Sequence, residues 1–271
     1  MSIITVSKQL GSLGTEIAQA LAVRLNSEYV DKEKIGGALM DCGLEKIEIE
    51  KLDEKNPSFW ESWSIDRKRF IHYLQRVIYD FAQKNDVVIV GRGGQVLLKD
   101  IPGVLKVRVT APLEVRIRRI MERDRIDEKQ ALHCLKRNDQ DSAGFIRSSF
   151  NVDWDDAALY DLVINTHQIS IHTAVNLILN FLQSPEIKED EEKGRAKLKD
   201  LALFQKVDSA LMHTVGMSSV DFRVDEGVVT LEGTVISNES KKNCERAVAN
   251  IEGVTQVRNQ LSVSMYYPYS T

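Results

Sequence analysis

Ile3-Ile4-Thr5-Val6-Ser7-Lys8-Gln9-Leu10-Gly11-Ser12-Leu13-Gly14-Thr15-Glu16-Ile17 is the stretch on which the fold turns. A short β-branched run meets a Gly/Ser turn, and apolar residues then recur at Ile17, Leu21 and Leu25 with helical spacing. Strand, loop and helix follow one another in the order of a phosphate-binding loop. Backbone N–H groups at a helix N terminus, left uncovered by glycine, attract anions, so a nucleotide phosphate is the expected guest of Lys8, Gly11, Ser12, Leu13, Gly14 and Thr15.

Against the pattern Gly-x-x-x-x-Gly-Lys-Ser/Thr, the register that preserves the helix start puts Lys8 on the first glycine. Leu13 then falls on the second glycine, Gly14 on the lysine and Thr15 on the hydroxyl. Only Thr15 matches. A helix N terminus contributes roughly 0.3–1 kcal/mol toward an anion, ~2 when partly buried. One preorganised contact to developing charge is worth about 3–4 kcal/mol. The dipole cannot replace the lysine, so turnover requires that Lys8 or a set of arginines reach the phosphates. Leu13 adds a steric demand, because a Cβ resists positive φ at a position of close approach.

The chain has 271 residues, enough for one large α/β domain and a small one. Hydrophobic residues make up 43% and charged residues 28%, with a formal net charge of −4, so nothing draws the whole surface to nucleic acid or anionic membrane. Any anion site must be local. Cys42, Cys134 and Cys244 are odd in number and widely spaced, which points to a reducing compartment and packing roles rather than disulfides or zinc. No secretory signal pattern and no run of about 18 apolar residues is visible. The expectation is a cytoplasmic protein with no membrane span.

Further along, Glu28-Tyr29-Val30-Asp31 permits a brief strand, with Asp31 placed to cap a helix from Lys32. Residues 44–63 read as a charged helix followed by Asn56-Pro57 and two tryptophans, Trp60 and Trp63, in the manner of an inserted mobile cover. Phe70, Leu74, Val77 and Phe81 mark one face of a long helix, and Val87-Val88-Ile89-Val90, apolar throughout, suits a central parallel strand. Gly91-Arg92-Gly93-Gly94 follows at once, so Arg92 stands at the carboxyl end of a strand, where a doubly wound sheet binds its ligand; a solvated arginine in a glycine turn is the alternative.

A strand over Leu105–Val109 leads to Thr110-Ala111-Pro112 and a helix on which Arg116, Arg119 and Arg123 share a face. Three guanidinium forks on one face can compensate transferred charge; pairing with Glu114, Glu122 and Asp124 is the rival reading. Asp127–Phe150 is expected to form one or two helices carrying Arg137, Asp141 and Gly144. With Phe145, Phe150 and Trp154 they have the composition of a flexible lid that would exclude water. Tyr160–Asn165 is the last strand of this domain and Ile169–Leu182 its closing helix. Residues 184–197 are densely charged with little to bury, and mark a linker. Beyond it an amphipathic helix, two strands around Asp225-Glu226-Gly227, a second helix and a last strand give a small α-β-β-α-β module.

These segments also carry a resemblance. Ser7-Lys8-Gln9-Leu10-Gly11-Ser12, Tyr29-Val30-Asp31-Lys32-Glu33, Val88-Ile89-Val90-Gly91-Arg92-Gly93, Ala111-Pro112-Leu113-Glu114, Arg116-Ile117, Arg119-Ile120-Met121-Glu122-Arg123 and Tyr160-Asp161-Leu162-Val163-Ile164-Asn165-Thr166 resemble the cytidylate kinase-like family, relatives of the P-loop nucleoside monophosphate kinases. Gly227-Val228-Val229-Thr230-Leu231-Glu232-Gly233-Thr234-Val235 and Ile251-Glu252-Gly253-Val254 resemble a BON domain, a module usually described as ligand or phospholipid binding.

The resemblance implies a P-loop NTPase-type doubly wound parallel sheet with a helical lid at 1–183, a charged linker at 184–197 and a BON-like α+β domain at 198–271. It further implies ATP-dependent phosphorylation of a nucleoside monophosphate, cytidylate by name, with Mg²⁺ at Thr15. Arg92 would correspond to the arginine of a Gly-Arg-Asp acceptor motif, and Arg137 and Asp141 to an Arg-x-x-x-Asp acceptor motif, with Asp31 on the same side. Arg116 and Arg119 would be lid-side arginines. Here Gly93 replaces the aspartate beside Arg92, and Gly144 stands where cytidylate kinases place an arginine. Members of the kinase-like family commonly lack the loop lysine and carry a basic residue at the Lys8 position, with glycine where this chain has Leu13. The BON module would serve ligand-linked regulation or assembly, with homo-oligomers possible. The competing reading is a catalytically degenerate kinase fold that senses nucleotide.

Overall fold

The computed structural model describes residues 2–46, 49, 65–84, 86–215 and 220–264. By internal packing the chain divides into two units, Met1–Gly194 and Arg195–Thr271. The first contains β1 (Ile3–Lys8), α1 (Gly14–Leu25), β2 (Glu28–Val30), α2 (Lys32–Asp41), α3 (Ile65–Gln83), β3 (Val87–Val90), α4 (Gly94–Leu97), β4 (Val104–Thr110), α5 (Leu113–Asp124), α6 (Glu128–Phe150), β5 (Leu162–Asn165), α7 (Ile171–Leu182) and α8 (Pro185–Lys188). Most of the proposed cover at 44–63, with Trp60 and Trp63, lies outside the described residues.

The five strands form one sheet in the order β2-β3-β1-β4-β5, every pairing parallel. Crossover helices cover both faces of such a sheet, which is why β3 could be apolar at every position and is buried at every position. One face, with Ile4, Val6, Val88, Val90, Leu105 and Val107, packs with Ile17, Ala18 and Leu21 of α1 and Ala174, Val175 and Ile178 of α7. Central β1 delivers its carboxyl end between those of β3 and β4, and the loop at 9–13 emerges there.

Local signals set the helix starts. Asp31 accepts from the N–H groups of Glu33 at 3.1 Å and Lys34 at 3.0 Å, capping α2. Asp127 and Gln130 close a reciprocal capping box on α6, which runs unbroken to Phe150. The charged stretch after residue 183 is helical: Pro185 occupies the first turn of α8, and α9 (Glu191–Val215) follows. One of its residues is buried. Gly194 lies so close to the Ile101–Pro102 turn that a Cβ on it would meet the Pro102 carbonyl at 2.0 Å, a burial that charge density conceals.

In the second unit, β6 (Val220–Asp225), β7 (Val228–Val235), α10 (Asn238–Ala249), β8 (Gln256–Asn259) and β9 (Ser262–Val263) follow α9. β7 pairs antiparallel with β6 and parallel with β8 and then β9. This is the expected order with one short strand added. Leu203, Val207, Leu211, Val229, Leu231, Cys244, Val248 and Leu261 form its core, and the Asp200 carboxylate accepts from Glu226 N and Gly227 N to fix the hairpin turn.

Candidate active site

Lys8, the last residue of β1, lies against the start of α1. Gly14, the first residue of α1, packs against Lys8: a Cβ built on Gly14 would stand 2.5 Å from Lys8 Cβ and 3.2 Å from Lys8 Cδ. The Lys8 stem therefore runs across the helix start from the end of β1. Leu13 adopts φ 64°, ψ 15°, the left-handed region that a side chain resists, and its side chain turns down onto the hydrophobic core beneath α1. It does not plug the loop. Among the described residues no side chain caps α1, and the N–H groups of its first turn, which have no intrahelical acceptors, point toward the loop side where an anion could bind.

Beside the loop lies a cavity of about 360 Å³ whose wall includes Lys8, Thr15, Asp31, Arg92 and Asp141. These five were singled out in the sequence, and the fold brings them together from β1, α1, the β2–α2 junction, the turn after β3, and α6. Arg92 is 5% exposed and holds φ 53°, a strained backbone for a non-glycine residue. Its guanidinium carbon is 6.0 Å from the centre of the Phe145 ring. Gly93 is a contact surface: a Cβ there would lie 2.3 Å from Phe150 Cε2, so a ring from the end of α6 fills the space beside Arg92. Phe145 and Phe150 meet edge to face at 6.0 Å, and Phe145 and Trp154 are buried.

Arg116, Arg119, Arg123 and Arg137 do not line that cavity. Arg116 Nη1 pairs with Asp139 at 2.9 Å and reaches the Leu10 carbonyl at 3.5 Å. Arg119 donates to the Gly11 carbonyl at 3.2 Å and to Thr166 Oγ1 and O at 2.9 and 2.8 Å. Both brace the outer side of the loop, where Ser12, fully buried, accepts from Thr166 Oγ1 at 2.8 Å through its carbonyl. Arg123 pairs with Asp124 on the surface, and Arg137, 65% exposed, stands 3.9 Å from the Asp141 carboxylate. Burial raises the Asp139 carboxyl above its ordinary range even though Arg116 bonds to it and pulls the other way.

Sequence reasoning passed over Arg108, though a lone cation in an apolar strand signals a buried partner. Its side chain is 3% exposed; it donates to Ser7 Oγ at 2.9 Å and Asp155 Oδ1 at 2.7 Å, and stacks 3.6 Å from the Trp154 ring centre. Trp154 Nε1 donates to the same Ser7 oxygen at 2.9 Å, and Tyr160 Oη donates to the Trp154 carbonyl at 2.8 Å. Desolvation lowers the Arg108 pKa and raises that of Tyr160. The network fastens the segment after α6 to the residue preceding Lys8, and Ser7 and Trp154 complete part of the cavity wall.

Residues 3–168, more than half of the chain, match the model of the Cytidylate kinase-like family. The chain belongs to that family. Residues 200–265 match the BON domain. A protein named cytidylate kinase in Staphylothermus marinus is 35% identical over 184 residues, 68% of this chain and 97% of that protein. One of the same name in Methanocaldococcus jannaschii is 30% identical over 179 residues, 65% and 94% respectively. A crystal structure of an uncharacterized protein from Eubacterium ventriosum superposes with a TM-score of 0.56 at 22% identity, covering 68% of this chain and 99% of that one, which shows a shared fold. Family membership agrees with the parallel sheet and with a loop that ends on the first turn of α1. Among the described residues no helix is long and apolar enough to cross a membrane, and the three cysteines are free thiols.

Proposed function

We propose that the first unit transfers the γ-phosphoryl group of ATP to a nucleoside monophosphate, cytidylate foremost, in the cytoplasm. The relocated lysine carries this reading. Lys8, crossing Gly14 and lining the cavity with Thr15 and Arg92, supplies the charge that the helix terminus alone cannot. Relatives named cytidylate kinase support the choice of acceptor.

In this scheme the loop N–H groups and Lys8 hold the donor phosphates, and Arg92 holds the acceptor phosphate. An acceptor oxygen attacks the γ-phosphorus in line, the bond to the β-phosphate oxygen breaks, and ADP and the diphosphate leave with no covalent enzyme intermediate. Mg²⁺ would arrive with ATP. In the cavity wall, the Thr15 hydroxyl would offer it a protein oxygen beside the phosphate oxygens. Arg116 and Arg119 shape the loop through the Leu10 and Gly11 carbonyls, and the BON unit serves regulation or assembly.

Incubation with ATP, Mg²⁺ and each nucleoside monophosphate tests the assignment by formation of the diphosphate. Nucleotide binding without diphosphate would leave the sensor reading, which the left-handed Leu13 favours. Leu13→Gly would then gain turnover. Comparing the oligomeric state of residues 1–183 with that of the full chain tests the role of the BON unit.

A further inference from the structure

The cavity contains one buried amide that the phosphate chemistry does not use. Gln95, in α4 directly after the Gly91-Arg92-Gly93 turn, is 2% exposed, and its Nε2 has no hydrogen-bond partner among the described residues. It lines the same cavity as Arg92 and Asp141. A buried N–H donor left without an acceptor is costly, and folded proteins seldom keep one unless something else supplies the acceptor.

We propose that Gln95 selects the acceptor base by donating its side-chain amide to a ring acceptor of the incoming nucleotide. The inference rests on the reading of this cavity as a nucleoside monophosphate site. A neutral amide adds little to the binding of a phosphate dianion beside Lys8 and Arg92, but it distinguishes base edges that carry the same charge. Asp141, 7% exposed in the same wall, is an acceptor. A donor and an acceptor in one wall match an edge on which a lone-pair nitrogen adjoins an amino group, as N3 and N4 of cytosine do. Uracil presents N–H and a carbonyl oxygen instead, so it would set donor against donor and carboxylate against oxygen. Mismatched buried polar groups of this kind are rejected far more strongly than a missing methylene.

The test uses the full-length protein, CMP and UMP, which differ only at this edge, and the variants Gln95→Met and Gln95→Glu. Methionine keeps the volume without the donor, and glutamate replaces the donor with an acceptor. The unaltered chain should prefer CMP. Gln95→Met should lower kcat/KM for CMP by roughly tenfold or more, chiefly through the CMP KM, with a much smaller change for UMP. Gln95→Glu should reduce the CMP-to-UMP ratio further, and ATP affinity measured by calorimetry should be unaltered in both.

Equal losses for CMP and UMP, or an unchanged ratio in both variants, would overturn the assignment while the kinase reading stood. Failure of the unaltered chain to bind or phosphorylate any nucleoside monophosphate would overturn both. Should Gln95→Met not fold, as judged by melting with and without ATP, the ratio in Gln95→Glu decides alone.

Discussion

Lys8 occupies the space that a side chain on Gly14 would need, with only 2.5 Å between the Cβ of Lys8 and a Cβ built on Gly14. The end of β1 and the start of α1 therefore cannot both carry side chains on that side, and the chain places its cation on the strand. Alanine is favoured over glycine in a helix by about 1 kcal/mol, yet overpacking costs about 1–3 kcal/mol. Gly14→Ala should thus be neutral to destabilising by about 2 kcal/mol in denaturant unfolding, and Gly14→Lys should not raise turnover.

Lys8→Ala should weaken ATP binding more than Arg92→Ala does if, as proposed, Lys8 holds the donor phosphates from the loop and Arg92 the acceptor. Loss of the lysine should lower kcat by about 10²–10³ if it meets developing charge. Titration calorimetry reporting equal or reversed losses in ATP affinity would count against the division of roles.

Phe150 makes glycine necessary at position 93. Gly93→Ala combines a φ of +72° with the 2.3 Å clash and should cost about 2–4 kcal/mol of stability. Phe150→Ala in the same chain should return the steric part and leave about 1 kcal/mol of backbone strain. A double-mutant cycle with less than about 1 kcal/mol of coupling would contradict this account.

The Arg116–Asp139 pair predicts a stability loss and a pH dependence. Arg116 is 6% exposed and Asp139 27%, so Asp139→Ala should cost about 2–3 kcal/mol, somewhat below the figure for a fully buried pair. The folded chain holds the Asp139 proton more tightly than the unfolded chain. The stability linked to that proton is present below the ordinary carboxylate range near 4 and is lost as pH rises through the elevated value. Asp139→Asn should flatten that part of a stability-against-pH profile, which chemical denaturation across pH 3–7 would reveal.

Ser7 accepts from both Arg108 and Trp154. Ser7→Ala takes that oxygen from Arg108, Trp154 and the Tyr160 hydroxyl, which reaches it at 3.3 Å, and should cost about 1–3 kcal/mol, whereas Trp154→Phe removes one donor and should cost about 1 kcal/mol. Thermal melting that ranks the two in the opposite order would argue that ring packing, not the hydrogen bonds, holds the segment after α6.

The phosphate loop, the alternation of strands with helices, the cap at Asp31 and the existence of a second module were legible in the sequence. Each is written in neighbouring residues: β-branched runs, 3.6-residue spacing, a carboxylate at a helix start, a glycine at a turn. Lys8, Thr15, Asp31, Arg92 and Asp141, which line one cavity, stand in the sequence at the carboxyl ends of strands or along a helix. The arginines of α5 were harder to read, because a shared helix face says nothing about whether Asp139 or Thr166 comes to meet it.

Sequence alone determined that a strand, a glycine-bearing loop and a helix would open a parallel α/β domain, since backbone geometry and local periodicity suffice for that. Only the tertiary structure decided that Lys8 overlies Gly14, that Phe150 closes the space beside Gly93, that Trp154 reaches Ser7 from 147 positions away, and that Gln95 Nε2 finds no acceptor among the described residues. The physical reason is that steric exclusion and hydrogen-bond satisfaction act between atoms sharing a volume, and which residues share a volume is fixed by how the elements pack.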